Sequence, residues 1–161
     1  MGSIMSTRAI QVLKKAQVPF EVITYTHKEK GAPFASQAIG FPLDQTVKTL
    51  IADIDEQRYV AALLPGNTQL DLKKLARVFQ SKHAAMANIA RAERLSGYFV
   101  GGISPFGLRQ PLESVIDRSI MGYERVVINA GQRGVMLKMA PSDILAVLAC
   151  RVADIGRENR V

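Results

Sequence analysis

Apolar residues recur at Ala9, Val12, Leu13 and Ala16, the i, i+3, i+4, i+7 spacing of a helix with one buried face. Ser6-Thr7 stand where its N-cap belongs, and Val18-Pro19 ends it. The alternating, β-branched stretch "FEVITY" (20–25) predicts a strand. "APFASQAIGF" (32–41) predicts a short helix stopped by Gly40 and Pro42. Two further strands lie in "VKTLIADIDEQRYVAALL" (47–64), joined as a hairpin by the polar "DEQ" (55–57). "PGNTQ" (65–69) reads as a loop. Leu72, Leu75, Ala76 and Phe79 then repeat at helical spacing, which places Lys73, Lys74 and Arg77 on the other faces. "NIARAERL" (88–95) predicts a helix ended by Gly97. "YFVGGI" (98–103) and "RVVINAG" (125–131) read as strands, and "QRG" (132–134) turns the second into "VMLKM" (135–139). Pro141-Ser142-Asp143 opens a last helix through Leu148.

No repeat, low-complexity run or long linker divides these elements, and they show no regular βαβ cadence. The pattern predicts an α+β fold, a single compact domain with a curved, mixed, largely antiparallel sheet. Its expected extent is 6–150, with 151–161 as a C-terminal tail. Met1–Met5 reads as an added remnant ahead of a native Met5.

At 161 residues and 48% hydrophobic content the chain is long enough for its own core. It contains no unbroken apolar run of the roughly 18 residues a membrane span requires. The single cysteine, Cys150, permits no internal disulfide and suggests a reducing cytoplasm; it reads as a small buried apolar residue. His27 and His83 share no ligand spacing, so no metal site is expected. The net charge of +7 points to a polyanionic partner such as RNA.

The candidate chemistry lies in "GYFVGGISPFGL" (97–108). Ser104 resembles a hydrolase nucleophile only superficially. The residue after it is Pro105, which has no N–H to give an oxyanion hole, and the closing glycine comes one position late at Gly107. Ser-Pro-Phe-Gly suits a type I turn instead. Gly101 and Gly102 permit close approach of a ligand to the backbone. The second glycine turn, Asn129-Ala-Gly-Gln-Arg-Gly134, fits neither a P-loop nor a dinucleotide fingerprint. Lys48, at the start of an apolar strand, could serve as a fixed point charge for a carbonyl or phosphate oxygen, or could simply extend to water.

Taken in order, "VKTL" (47–50), "QLDLKKLA" (69–76), "AERLSGYFVGGISPFG" (92–107), "VID" (115–117) and "GQRG" (131–134) resemble the YbaK-like aminoacyl-tRNA deacylases. These are freestanding relatives of the editing domain of bacterial prolyl-tRNA synthetases. The resemblance implies a barrel-like sheet surrounded by helices. It implies hydrolysis of the ester between a wrong amino acid and the tRNA 3′ end, with Cys-tRNA(Pro) as first choice. Alternatives are a deacylase for Ala or Ser, or a non-catalytic tRNA-binding module. It implies no cofactor and no protein nucleophile. The expected partners are the tRNA acceptor end and prolyl-tRNA synthetase in a transient complex.

On these positions the family's lysine falls on Lys48, followed by Thr49. Tyr25 and Phe34 match the aromatic flanks of the pocket. Gly101, Gly102, Ser104 and Pro105 match its glycine-serine-proline wall. Asn129, Gly131 and Met136 complete the expected substrate contacts. Asn129 and Met136 depart from the family, which has a small residue and a polar one there.

Overall fold

The computed structural model describes residues 6–26, 31–56 and 58–158. Met1–Met5, His27 and Gln57 of the expected hairpin turn lie outside the described residues. Among the described residues there are five α-helices: α1 (Arg8–Ala16), α2 (Ala32–Ile39), α3 (Leu72–Val78), α4 (Ile89–Ser96) and α5 (Pro141–Leu148). Ten strands accompany them: β1 (Glu21–Thr24), β2 (Thr46–Ile54), β3 (Arg58–Pro65), β4 (Thr68–Leu70), β5 (Ala84–Met86), β6 (Glu113–Asp117), β7 (Val126–Gln132), β8 (Val135–Met139), β9 (Arg151–Ala153) and β10 (Gly156–Glu158).

The helix ends follow local chemistry. Thr7 caps α1 through its side chain, and Asp71 and Asn88 do the same for α3 and α4. Gly40 and Gly97 close α2 and α4 in the left-handed conformation that costs glycine little.

The main sheet runs β1-β8-β7-β2-β3-β6-β9, with β5 added beside β2. The pairs β1–β8, β7–β8, β2–β3 and β2–β5 are antiparallel, whereas β2–β7, β3–β6 and β6–β9 are parallel. The sheet is thus mixed, as expected of this α+β class. Its central strands are covered on both faces, which is why β3 reads as a nearly unbroken apolar run. One face carries Val47, Ile51, Leu63, Ile116 and Ile128, packed against α1, α4 and α5. The other carries Ala52, Ala62, Leu64 and Val115, packed against Leu75, Ala76 and Phe79 of α3.

Three expectations change. The 65–69 loop contracts to a turn at 66–67, because Thr68–Leu70 pairs with Gly156–Glu158 as a separate two-stranded sheet. The 151–161 stretch, expected as a tail, carries β9 on the main sheet and β10 on β4 through Glu158. The buried Asp117 carboxylate fixes this end by accepting from the Ile155 and Gly156 N–H groups at 3.0 and 3.2 Å.

Third, "YFVGGI" is a turn and not a strand. The Gly102 N–H closes on the Phe99 carbonyl at 2.8 Å, and Gly101 adopts φ +95°. An apolar run with no neighbouring strand to satisfy its main chain folds back on itself.

Candidate functional site

The site originates in a gap in the sheet. On the side of β2 away from β3, β7 pairs only with Thr46 and Val47, and β5 pairs only with Ala52–Ile54. Lys48–Ile51 therefore have no strand beside them. Ile51 already presents its carbonyl to this side, where the Ala87 N–H donates to it at 3.1 Å. Residues two apart in a strand point the same way, so the Thr49 main-chain N–H and C=O also face the opening.

A cavity of about 460 Å³ occupies this gap. Its walls include Tyr25, Ala35, Lys48, Thr49, Ile51, Met86, Ile89, Val100, Gly101, Ile103, Asn129 and Met136. The lining is mostly apolar, and among the described residues no serine, cysteine or histidine side chain contributes to it.

Lys48 is half-buried, and loss of hydration lowers its ammonium pKa below the ordinary lysine value. Its Nζ donates to the Thr68 carbonyl at 2.5 Å, which fixes the position of the charge. Thr49 points to the opposite face of β2, and its buried Oγ1 has no hydrogen-bond partner among the described residues.

Another part of the lining is the 99–102 turn, which three side chains brace. The Glu93 carboxylate accepts from the Val100 N–H at 2.7 Å. The Arg133 guanidinium donates to the Val100 carbonyl, with its Nη2 at 2.6 Å and its Nε at 3.2 Å. Asn129 Nδ2 donates to the Gly101 carbonyl at 3.4 Å. With the Val100 and Gly102 N–H groups engaged, the Phe99 and Gly101 N–H groups of the turn are without an acceptor among the described residues, and of these two residues Gly101 lines the cavity. The pair of backbone donors expected at Gly101 and Gly102 thus reduces to Gly101.

Of the expected contacts, the fold brings Tyr25, Lys48, Thr49, Gly101, Asn129 and Met136 to one cavity. Five others stand behind its wall. Phe34 packs on Tyr25 with ring centroids 6.2 Å apart. Gly102 and Pro105 are buried, and Gly102 lies so close to the Gln132–Arg133 backbone that a Cβ there would sit 3.1 Å from the Arg133 nitrogen. Gly131 abuts the Tyr98 ring. Ser104 is fully buried, and its Oγ accepts from the Phe106 N–H at 3.3 Å. Asn129 lines the cavity, but its side chain is already engaged: Oδ1 accepts from Gly131 and Gln132, and Nδ2 holds Gly101. It positions the turn.

Sequence reasoning did not find Glu93 and Arg133 as braces, nor Met86 and Ile89 as walls. No local pattern marks them: Arg133 reaches Val100 from 33 residues away, Glu93 reaches it because the chain folds back after α4, and Met86 and Ile89 become walls through the placement of β5 and α4. Cys150 is buried, and burial raises its thiol pKa, so it stays protonated and apolar in character. Among the described residues no group of three potential metal-ligating side chains occurs, and no helix is long and apolar enough to cross a membrane.

Ser104→Ala should retain most of any hydrolytic activity, with a stability loss of about 1 kcal/mol for one buried hydrogen bond. Stoichiometric labelling of Ser104 by a serine-directed covalent inhibitor would contradict this placement.

One mostly apolar cavity thus has a half-buried lysine and a braced glycine turn in its lining. The model of the aminoacyl-tRNA editing domain matches residues 29–147, and the chain belongs to that family of aminoacyl-ester hydrolases. It is 28% identical over 151 residues, 92% of each chain, to a candidate Cys-tRNA(Pro)/Cys-tRNA(Cys) deacylase, EbsC, of Enterococcus faecalis. It is 29% identical over 145 residues, 86% of each chain, to the multifunctional Ser/Thr-tRNA deacylase ProXp-y of Escherichia coli. A solved structure of a candidate trans-editing enzyme for prolyl-tRNA synthetase superposes with a TM-score of 0.83 at 25% identity, covering 93% of this chain and 95% of that one.

Proposed function

We propose that this protein hydrolyses, in trans, the ester of a small amino acid mischarged onto tRNA, with Cys-tRNA(Pro) as its preferred substrate. The observation that carries this reading is the presence of the Lys48 ammonium and the Gly101 main chain in the lining of one cavity. Both are donors fixed before reaction, suited to negative charge developing on an ester carbonyl or a departing ribose oxygen. The nucleophile then comes from the substrate side. In the cysteinyl case the substrate sulfur attacks its own carbonyl carbon to form a cyclic thioester, the ester C–O bond breaks, the thiol proton ends on the departing ribose oxygen, and water then opens the thioester to release cysteine.

The amino acid is read from the lining. Met86, Met136, Ile51, Ile103 and Val100 offer apolar and polarisable contacts, which suit a thiol or a methyl group. A serine or threonine hydroxyl would find the Asn129 amide occupied and would depend on the buried, unpartnered Thr49 Oγ1 for its hydrogen bond, whereas a thiol needs none. Cysteine is therefore favoured, and alanine is the second reading. Sieving by a second site is needed because one methylene supplies only about 1–3 kcal/mol of discrimination.

The decisive measurement is deacylation of Cys-, Ala-, Ser- and Thr-charged tRNA(Pro) in parallel. Cys-tRNA(Pro) should be hydrolysed fastest and Thr-tRNA(Pro) slowest. Hydrolysis of none of the four would remove the deacylase reading, and preference for Ser or Thr would remove the cysteine assignment.

The excess positive charge predicts that tRNA affinity falls steeply with salt, each single-strand phosphate contact adding about −0.7 to the log–log slope. On α3, Lys73 and Arg77 are exposed and available for such contacts. Lys74 is not equivalent: its Nζ is 3.1 Å from Asp154 and donates to the Gly156 carbonyl at 2.8 Å, so it ties α3 to the C-terminal strands. Titration of tRNA binding across salt concentrations should show the slope, and a flat dependence would remove the electrostatic argument.

A further inference from the structure

Among the described residues, three large apolar side chains are exposed: Met86 at 47%, Ile89 at 62% and Phe99 at 78%. They come from three separate elements, namely the end of β5, the start of α4 and the 99–102 turn. Their positions converge. Met86 and Ile89 line the cavity, and Phe99 immediately precedes Val100 and Gly101, which also line it. Scattered exposed apolar residues need no explanation, whereas a cluster at the rim of a cavity marks a contact surface.

Phe99 is also held in place. Its carbonyl accepts from Gly102, and the next peptide is clasped by Glu93 and Arg133. An aromatic ring on a fixed turn is presented at little entropic cost. The turn itself is held by one carboxylate, Glu93, and one cation, Arg133, and the helix that leads into it, α4, adds Arg91, which lies over the Tyr59 ring at 5.7 Å, and Arg94, so cations outnumber carboxylates on these elements. The ion pairs of the described residues involve Arg58, Lys74 and Arg151, and none of these three. An exposed aromatic face on elements where cations outnumber carboxylates suits a nucleobase carried on a phosphate backbone. A protein partner's apolar patch would leave that charge unmatched.

We propose that the Phe99 ring is the stacking platform for the terminal unpaired base at the tRNA 3′ end, with Met86 and Ile89 as the apolar rim beneath it. The proposal rests on the deacylase reading, because the base stacked there is the one whose ribose carries the ester entering the cavity. Stacking at the rim would set the depth to which the aminoacyl group penetrates.

The chain contains no tryptophan, so Phe99→Trp introduces a unique fluorophore at the platform. Its emission should be quenched by a short single-stranded RNA ending in CCA. The same RNA with an abasic 3′-terminal residue should bind about fivefold or more weakly. In single-turnover deacylation, Phe99→Ala should raise the half-saturating protein concentration about fivefold or more and leave the saturating rate within about twofold. Phe99→Trp should restore wild-type saturation.

Equal quenching by the abasic RNA would overturn the platform. So would a Phe99→Ala variant with unchanged half-saturation, or one that loses only its saturating rate. A defect that emerges only when prolyl-tRNA synthetase is added would assign the patch to a protein partner instead. If the wild type hydrolyses no aminoacyl-tRNA, the deacylase reading fails, while the RNA quenching still decides whether a base stacks on this ring.

Discussion

Replacing Lys48 with alanine should lower the single-turnover rate of Cys-tRNA(Pro) hydrolysis by about 10²–10³, the usual consequence of removing one preorganised charge from a sheltered site. The variant should still fold. Its side chain contributes one hydrogen bond to Thr68, worth about 1 kcal/mol, and no part of the apolar clusters. Lys48→Arg should recover only part of the rate, because a planar fork cannot occupy the place of a compact ammonium held against a carbonyl.

The pH dependence distinguishes a charge role from a packing role. Burial depresses the folded-state pKa of Lys48, so the folded protein releases this proton at lower pH than the unfolded chain does. Between those two values stability rises with pH, while an activity that uses the cation falls. The wild-type rate, taken above the uncatalysed hydrolysis, should therefore decline on the alkaline side below about pH 10.4, and Lys48→Arg should not show that decline. A folded Lys48→Ala protein with a near-wild-type rate would remove Lys48 from the site.

The second large effect is expected at Gly131, which is not part of the cavity lining. It has φ +97°, in the region where a side chain is strained. An added Cβ would lie 2.5 Å from Tyr98 Cε1. That ring cannot move aside freely: it is buried, and its hydroxyl donates to the Phe106 carbonyl at 2.6 Å. Gly131→Ala should combine backbone strain with overpacking, for a loss of about 2–4 kcal/mol.

In a domain of this size that loss lowers Tm by about 5–15 °C. Because Gly131 sits in the bulge whose Asn129 holds the Gly101 carbonyl, deacylation should fall even at temperatures where the variant remains folded. Gly122→Ala is the control, with nothing within 4 Å of its Cβ position, and should change stability by no more than about 0.5 kcal/mol. Denaturant unfolding of both variants decides the matter, and a Gly131→Ala protein as stable as wild type would show that the bulge relaxes at no cost.

By itself, the sequence determined the elements whose signals are local. Thr7 and the 9–16 periodicity made α1, Gly97 closed α4, and the β2–β3 hairpin followed from two β-branched runs around a polar turn. Lys48 and the glycine turn were legible as candidate chemistry for the same reason. Three-residue strands were not legible. β4, β5, β9 and β10 have too few positions to express a period, and each exists because another segment offers it hydrogen bonds. The "YFVGGI" error has the mirror-image cause: an apolar, β-prone run becomes a strand only if a strand lies beside it, and here Glu93, Asn129 and Arg133 hold it as a turn instead. Only the tertiary structure decided that β7 and β5 stop short of one another on β2, opening the cavity that Lys48 and Gly101 both line. It likewise turned Asn129 inward as a brace and left Phe99 in solvent, because side-chain direction depends on partners far along the chain and no local pattern encodes them.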